Sequence, residues 1–365
     1  MRYVILTIVL CASFAASASA QQQPAGEVSR ANQGTVGVIT GMEGGTYAQT
    51  AADLTILDDG TLRVLPIIGK GSLQNLSDIL YLRGVDVGFV QADALTYAKQ
   101  RNLFPALTQS IRYIAKLYDE EIHVLARKDI SSLRDLNGQR VNVDVAGSGS
   151  AMTAEIVLDA LGIKPQLEHR KQIDALEALK QGEIAAIIQV AGAPVPLLAR
   201  LGNTSGLHLL PIELNETLAQ TYLPDQLTHE LYPALVPVEE TVSTLAVGDV
   251  MAVFAWQPHT DRYNKVARFV DAFFSKFDQF LQPPRHPKWR EVNLTAEVPG
   301  WTRFQAAQDW LAQHAKPNVT QETAQTRFAE FLSNAKVGGN LTDTAKEELF
   351  RQFLSWDKQR QAAHQ

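Results

Sequence analysis

Three short turns rich in glycine and serine carry the residues with which this chain could bind a small molecule. They span residues 44–47, 71–72 and 147–150, and each stands between an apolar run and a stretch with helical periodicity. The first N–H groups of a helix have no partner within the helix, and the helix dipole favours negative charge there. The turns contain no arginine. We therefore predict that together they hold one small anion, such as a carboxylate, through neutral amide and hydroxyl donors.

The candidate binding residues lie in these turns and at a few positions elsewhere. Ser72 could donate to a ligand or only cap its own helix, because both roles use the same oxygen. Asn75 and Gln91 could bond a ligand or their own loop, and each candidate tyrosine could equally be a packed core residue. The predicted ligand-binding residues are Gly44, Gly45, Thr46, Tyr47, Gly71, Ser72, Asn75, Gln91, Ser148, Gly149, Ser150, Gly192 and Tyr222.

Two charged residues stand at the first two turns. One hypothesis is that Lys70 contacts a ligand carboxylate while Glu43 accepts an ammonium group, which would suit an amino acid. The alternative is a solvated ion pair or two exposed side chains, and the sequence favours it.

The elements around the second turn form a βαβ unit. An apolar run ends at Ile68, apolar residues recur at helical spacing from Leu73 to Leu82, and a buried strand follows from Val85 to Val90. Such a unit brings the helix N-terminus and the strand ends to one edge of the sheet, where anions bind. The sequence therefore predicts an α/β fold.

These residues resemble a known family. The pattern GSxxN at 71–75, followed by VDxGFVQxD at 85–93, is similar to the TAXI-type solute receptors of TRAP transporters. The resemblance continues in the GTY run at 45–47, the GSGS turn at 147–150 and the run VAGAP at 190–194, and covers roughly residues 34–255. It implies a type II periplasmic binding protein, in which two α/β lobes enclose a ligand cleft.

The resemblance also implies the domain organisation. Lobe 1 is predicted to comprise residues 34–124 and 250–315, and lobe 2 residues 125–249. Two crossover strands, near 123–127 and 243–255, would form the hinge between them. Residues 316–365 are predicted to form a C-terminal helical extension, which typical members of the family lack. We expect it to pack on lobe 1, with a partner-docking arm as the alternative.

The N-terminus predicts export. Arg2, an apolar run and the small residues Ala18-Ser19-Ala20 form a secretory signal peptide over residues 1–20, cleaved after Ala20, and residues 21–33 read as a disordered leader. We therefore expect a periplasmic location. Cys11 is the only cysteine, so the mature chain has no disulfide or thiolate site. A formal charge of −6 argues against binding to nucleic acids or anionic membranes.

Catalytic signatures are missing from the sequence. It has no GxSxG elbow, no HExxH motif and no phosphate-loop lysine motif, and its eight histidines are scattered. We predict no catalytic residues, no metal and no cofactor, so an enzyme on the same two-lobe fold is disfavoured.

The resemblance and the residues together predict a solute receptor. Its solute would be an amino acid such as glutamate, or a dicarboxylate or 2-oxo acid, delivered to TRAP-type membrane permease subunits. The alternative is a periplasmic binding protein that signals to a sensor or scaffold, which the C-terminal extension motivates.

Overall fold

The structure, a computed structural model, describes residues 26–27, 32–202 and 206–314, together with single residues and short stretches between 328 and 353. The predicted signal peptide lies outside the described residues, and so does most of the predicted leader at 21–33.

The described residues form ten strands and nine α-helices. The strands are β1 (Thr35–Ile39), β2 (Arg63–Ile67), β3 (Val87–Gln91), β4 (Ile111–Arg127), β5 (Arg140–Asn142), β6 (Gln166–Glu168), β7 (Ala186–Ala191), β8 (Leu207–Leu209), β9 (Leu223–Thr228) and β10 (Thr241–Phe254). The helices are α1 (Thr46–Asp53), α2 (Ser72–Tyr81), α3 (Asp93–Gln100), α4 (Leu107–Ser110), α5 (Gly149–Leu161), α6 (Gln172–Lys180), α7 (Pro196–Ala199), α8 (Asp261–Ser275) and α9 (Gln305–His314). Shorter 3₁₀ turns occur at Leu54–Leu57, Leu133–Leu136, Leu218–Gln220, Phe277–Leu281 and Pro287–Glu291.

All ten strands belong to one sheet, in the order β2-β1-β3-β10-β4-β7-β5-β6, with β8 beside β4 and β9 beside β10. Strands β1, β2 and β3 are parallel, as are β5, β6 and β7. The carboxyl ends of parallel strands meet at one edge of a sheet, where α/β proteins bind ligands. We use lobe 1 for the half built on β1–β3 and lobe 2 for the half built on β5–β7; the predicted residue bounds of the lobes stay a prediction.

Two long antiparallel strands, β4 and β10, join the lobes. Strand β4 pairs with β10 from Ile111 to Glu121, and from Glu121 onward it pairs with β7. Strand β10 pairs first with β9 and then, near its end, with β3. Glu121 therefore marks the point where β4 passes from one lobe to the other, slightly before the predicted crossing. The predicted fold class, α/β with two lobes joined by two crossover strands, is confirmed.

Each lobe packs helices on both faces of its half of the sheet. In lobe 1, α8 buries Phe269 and Phe273 on one face, and α2 buries Leu76 on the other. In lobe 2, α5 buries Leu158 on one face and α6 buries Leu176 on the other. Each such side chain contributes about 1.5–3 kcal/mol of burial free energy. The loops at the sheet edge therefore extend from helices and strands that are held by core packing.

The described residues of the C-terminal extension pack on lobe 2, so the expectation that it packs on lobe 1 is wrong. Leu349 is fully buried in a cluster with Ala219 and Leu223, and the Thr342 N–H donates to Glu216 Oε1 at 3.1 Å. Helical periodicity predicts that a segment has an apolar face, but it does not tell which lobe offers the complementary surface.

A bilayer-spanning segment is not found among the described residues, whose helices are too short or too polar to cross a membrane.

Candidate functional site

A cavity of about 300 Å³ opens between the lobes at the carboxyl edge of the sheet. Its walls are the loops after β1, β2 and β5, the ends of β3 and β7, and the starts of α6 and α7. Of the fifteen predicted ligand and charge-contact residues, twelve line it, which leaves three elsewhere. The twelve are Glu43, Gly44, Gly45, Thr46, Tyr47, Lys70, Gly71, Ser72, Gln91, Ser148, Gly149 and Ser150. The three glycine-rich turns thus surround one space.

In lobe 1, the start of α2 differs from the prediction. The N-cap is Gly71, at a φ of 108° that favours glycine, and it makes no side-chain cap. Ser72 is the first helical residue; its Oγ donates to Gln91 Oε1 (2.9 Å) and accepts the Gln91 N–H (3.0 Å). Ser72 as N-cap is therefore wrong, because its hydroxyl fastens α2 to the end of β3.

In lobe 2, serines again fasten the helix. Ser148 is the N-cap of α5, and its Oγ accepts the Ala151 N–H at 3.1 Å. Ser150 Oγ accepts the Val190 N–H (3.0 Å) and donates to the Val190 carbonyl (3.3 Å), which ties α5 to β7. The serine hydroxyls are therefore engaged with the protein itself.

The helix amides at the cavity are left without partners. The first two N–H groups of α1, α2 and α5 find no acceptor among the described residues. These donors start at Thr46, Ser72 and Gly149, all of which line the cavity. The arrangement offers a bound anion donors from both lobes and the positive ends of three helix dipoles.

The lobes touch each other at this site. A Cβ on Gly149 would lie 1.9 Å from Gln91 Oε1 and 2.8 Å from Ser72 Oγ, so only glycine allows this approach. The Gln74 N–H of lobe 1 donates to the Gly147 carbonyl of lobe 2 at 3.2 Å. The structure therefore shows the two lobes in direct contact at the cavity.

Three predicted residues do not line the cavity. Asn75 Nδ2 donates to the Phe89 carbonyl at 2.7 Å, and Gly192 packs against the side chain of Lys288. The Tyr222 hydroxyl donates to Asp93 Oδ2 at 2.8 Å. Ligand contact by these three would need a conformation other than this one, and stays a prediction.

Two carboxyl groups that were not predicted as site residues line the cavity. Glu120, on β4, lines the cavity and is 4% exposed. Burial, and then the nearby carboxyls of Asp249 and Glu121, raise its pKa well above the usual range. Beside it the Tyr47 hydroxyl donates to Asp249 Oδ1 at 2.5 Å. Asp144 also lines the cavity, and burial raises its pKa to about 6. The run of three consecutive acids at 119–121, inside a strand whose other positions are mostly apolar, could have indicated Glu120.

Two lysines contribute positive charge. Lys70 of lobe 1 and Lys171 of lobe 2 are the basic residues that line the cavity in the described part of the chain, and both are exposed. Neither Lys70 nor Glu43 forms an ion pair with another described residue. Both are therefore available to a ligand or to solvent.

Two glutamines leave polar atoms unused at the cavity. Gln91 Nε2 and Gln189 Oε1 are buried and have no hydrogen-bond partner among the described residues. Buried polar atoms are nearly always paired in folded proteins, so this donor and this acceptor favour a polar ligand. Metal-binding groups of three or more His, Cys, Asp or Glu residues are not found in the described residues.

Comparison with solved structures gives distant likenesses. The periplasmic binding protein BugD is 12% identical, with a TM-score of 0.44 over 84% of this chain and 99% of that one. The alkanesulfonate-binding protein SsuA from Xanthomonas axonopodis pv. citri, bound to MOPS, is 14% identical, with a TM-score of 0.42 over 83% and 94%. Tv2483 bound to L-arginine is 13% identical, with a TM-score of 0.44 over 73% and 94%.

Comparison with protein families gives a direct assignment. The NMT1-like family matches residues 38–296, which include every wall of the cavity. This match covers well over half of the 365 residues, and the chain therefore belongs to the NMT1-like family.

Proposed function

We propose that this protein is an extracytoplasmic receptor that captures a small carboxylate-bearing solute between its lobes and delivers it to a TRAP-type membrane permease. One observation carries the proposal: helix N–H groups from both lobes, which have no acceptor among the described residues, meet at a cavity of about 300 Å³. A cavity of that size accommodates a small metabolite. Helix N-termini stabilise an anion without arginine, and Lys70 and Lys171 add positive charge from either side.

The acceptors at the cavity favour an amino acid, such as glutamate, over a simple dicarboxylate. Glu120, Asp144 and Gln189 Oε1 all offer acceptors to a bound solute. A simple dicarboxylate has no donor group for these acceptors, whereas the ammonium group of an amino acid would supply donors to them. The carboxylate of the solute would then bind the helix amides, and its ammonium group would face the acids.

Delivery to a permease is supported by the motifs at 71–75, 85–93 and 190–194, which resemble TAXI-type receptors, and by the predicted signal peptide. The strands β4 and β10 provide a hinge, and closure around the solute would be the state that docks. A receptor that signals to a sensor is the second candidate. The packing of the C-terminal extension on lobe 2, outside the cavity, favours it, because this segment adds surface that solute capture does not need.

Replacing Thr46 with proline tests amide binding directly. Proline removes one N–H but suits the first helical position, and the preceding Gly45 already has the extended conformation that proline requires (φ −77°, ψ 165°). Loss of a hydrogen bond from a backbone N–H to a charged group costs about 1.5–3 kcal/mol, or roughly 10–150-fold in affinity. Thr46→Ala keeps the amide and is the matched control.

The measurement is isothermal titration with L-glutamate and with 2-oxoglutarate, preceded by native mass spectrometry to detect co-purified solute. We expect Thr46→Pro to weaken binding at least tenfold relative to Thr46→Ala. Equal affinity of the two variants would show that α1 does not bind the anion, and failure of every carboxylate probe on the wild type would overturn the proposal.

A further inference from the structure

A buried lysine of lobe 1 lies behind the lobe 2 wall of the cavity. Lys288, in the 3₁₀ turn Pro287–Glu291, is 3% exposed, and lysine is almost never buried unless it is paired. Its Nζ donates to Glu121 Oε1 (2.7 Å), to Glu291 Oε2 (2.8 Å) and to the Asp119 carbonyl (3.0 Å). These contacts use all three donors of an ammonium group.

Glu121 extends this contact into lobe 2. It lies at the point where β4 changes partner from β10 to β7. While its Oε1 accepts from Lys288, its Oε2 accepts the Ala193 N–H at 2.6 Å. One carboxylate at the hinge thus joins a side chain of lobe 1 to the backbone of the segment 191–197 in lobe 2.

Gly192 makes the same contact tight. A Cβ there would lie 2.9 Å from Lys288 Cε and 3.3 Å from its Cγ, so the lysine stem packs directly on the glycine backbone. On either side of this contact, Ala191 and Val195 line the cavity. The Val195 N–H is itself held by the Tyr232 hydroxyl at 2.8 Å. Gly192, the glycine of the VAGAP run, does not line the cavity, and its role in the structure is this close contact with Lys288.

We infer that Lys288 is a positioning residue for the solute cavity: through Glu121 and against Gly192, it holds the segment 191–197 in place as the lobe 2 wall. The inference rests on the proposed function in one respect, since the position of this wall affects binding only if the cavity takes a solute. The wall of one lobe is then supported by an element of the other, through the strand about which the lobes move.

Lys288 and Glu121 form a buried ion pair, so the choice of substitutions must account for their charges. Removing one partner of a buried ion pair leaves an uncompensated charge, whereas neutralising both partners can be nearly free of cost. The variants are therefore Lys288→Met, which keeps the stem that packs on Gly192, and Lys288→Met combined with Glu121→Gln, which keeps an oxygen for the Ala193 N–H. Gly192→Ala displaces the lysine stem without changing charge, and is the milder variant should Lys288→Met fail to fold.

A second buried lysine provides the matched control. Lys116, on β4 of lobe 1, is 6% exposed and pairs with Asp119 at 2.8 Å. Lys116→Met also breaks a buried ion pair, but that pair does not include Glu121. General destabilisation should therefore be similar in the two single variants, while loss of the wall should occur only in Lys288→Met.

The primary measurement is amide hydrogen exchange across residues 191–197 in the ligand-free protein, which needs no solute. We expect exchange at Ala193 to rise about tenfold or more in Lys288→Met, to rise less in Gly192→Ala and in the Lys288→Met/Glu121→Gln double variant, and to stay near wild type in Lys116→Met. Unchanged exchange in Lys288→Met, or an equal rise in Lys116→Met, would overturn the inference.

Titration with L-glutamate and 2-oxoglutarate is the second measurement. Lys288→Met should weaken binding about tenfold relative to Lys116→Met, because the wall is no longer held. Binding of neither probe by the wild type would count against the proposed function, while the exchange data would still decide whether Lys288 positions the wall. Equal binding by the two variants despite faster exchange would show that the wall does not contribute to affinity, and would overturn the positioning role.

Discussion

In both lobes, a serine hydroxyl near the start of a helix joins that helix to a strand by hydrogen bonds. In lobe 1, Ser72 Oγ both donates to and accepts from Gln91, which joins α2 to β3. In lobe 2, Ser150 Oγ both accepts from and donates to the Val190 backbone, which joins α5 to β7. In each lobe a serine in the first turn of a helix ties that helix to a strand ending at the cavity.

The lobes differ in how the N-termini of these helices are capped. Helices α1 and α2 of lobe 1 begin at Gly45 and Gly71, without a side-chain cap, whereas Ser148 caps α5 of lobe 2. Among the three glycine-rich turns, those of lobe 1 therefore leave more N–H groups without an acceptor in the described residues, and lobe 2 brings a glycine, Gly149, into contact with them. The comparison teaches that serine hydroxyls in this site hold the helices, while the first helix N–H groups stay without an acceptor among the described residues.

The largest expected effect concerns the contact at which lobe 2 hydroxyls meet a lobe 1 carboxyl. Thr153 Oγ1 and the Tyr222 hydroxyl both donate to Asp93 Oδ2, at 2.7 and 2.8 Å. Burial raises the pKa of Asp93 to about 6, from an ordinary value of 3.8. Because of this shift, the free energy of unfolding is about 3 kcal/mol larger below pH 4 than well above pH 6. This contribution to stability is lost as the pH rises through 6.

Asp93→Asn should remove this dependence. We expect the unfolding free energy of the wild type to fall by about 3 kcal/mol relative to that of the variant between pH 4 and pH 8. Urea unfolding of both proteins across that range measures the difference. The other titrating groups are the same in both proteins, so their contributions cancel. A difference that stays constant with pH would show that Asp93 is not buried between the lobes in solution.

The next effect concerns the glycine that lobe 2 brings to lobe 1. In Gly149→Ala, the new Cβ would overlap Gln91 Oε1, so the lobes must separate or the glutamine must move. Overpacking of this kind costs about 1–3 kcal/mol, which would weaken solute binding roughly 5–150-fold. Gly45→Ala is the control, because its Cβ would approach only the Met42 carbonyl, at 3.2 Å.

Small-angle scattering and titration with L-glutamate and 2-oxoglutarate measure the two consequences. Gly149→Ala should be more open than the wild type without ligand and should bind more weakly than Gly45→Ala. If Gly45→Ala were affected equally, the contact between lobes would not be what distinguishes the two turns.

Much of the site follows from local sequence. The turns at 44–47, 71–72 and 147–150 each connect a strand to a helix, and carboxyl ends of parallel strands share one edge of a sheet. Their meeting at one cavity could therefore be predicted without knowing any side-chain contact. The two crossover strands were predicted from the family resemblance instead, apart from the residue, Glu121, at which β4 changes lobe.

The remainder depends on long-range partners that periodicity does not reveal. Gly192 and Tyr222 were predicted to contact the ligand, but the structure places them against Lys288 and Asp93, far away in the chain. Glu120 was missed because alternation along a strand identifies its face, not the cavity that the face borders. The C-terminal extension was assigned to the wrong lobe for the same reason.

The smallest expected effects on solute binding come from the serines whose hydroxyls hold the site helices. Ser72→Ala and Ser150→Ala each leave a buried donor and a buried acceptor without a partner, which costs about 1–3 kcal/mol. We expect similar losses of unfolding free energy from the two variants, measured with urea, since the serine hydroxyl joins helix to strand in both lobes. Ser148→Ala removes only a helix cap and should cost about 1 kcal/mol.

The same three variants show whether any of these hydroxyls binds the solute. Because the amides of α2 and α5 are retained, each variant should bind L-glutamate or 2-oxoglutarate within about threefold of the wild type, provided that the helix keeps its place. A Ser72→Ala protein that is as stable as wild type but no longer binds would reverse this division of roles. In that case the Ser72 hydroxyl would leave Gln91 to donate to the solute, as the sequence first suggested, and the two lobes would not be equivalent.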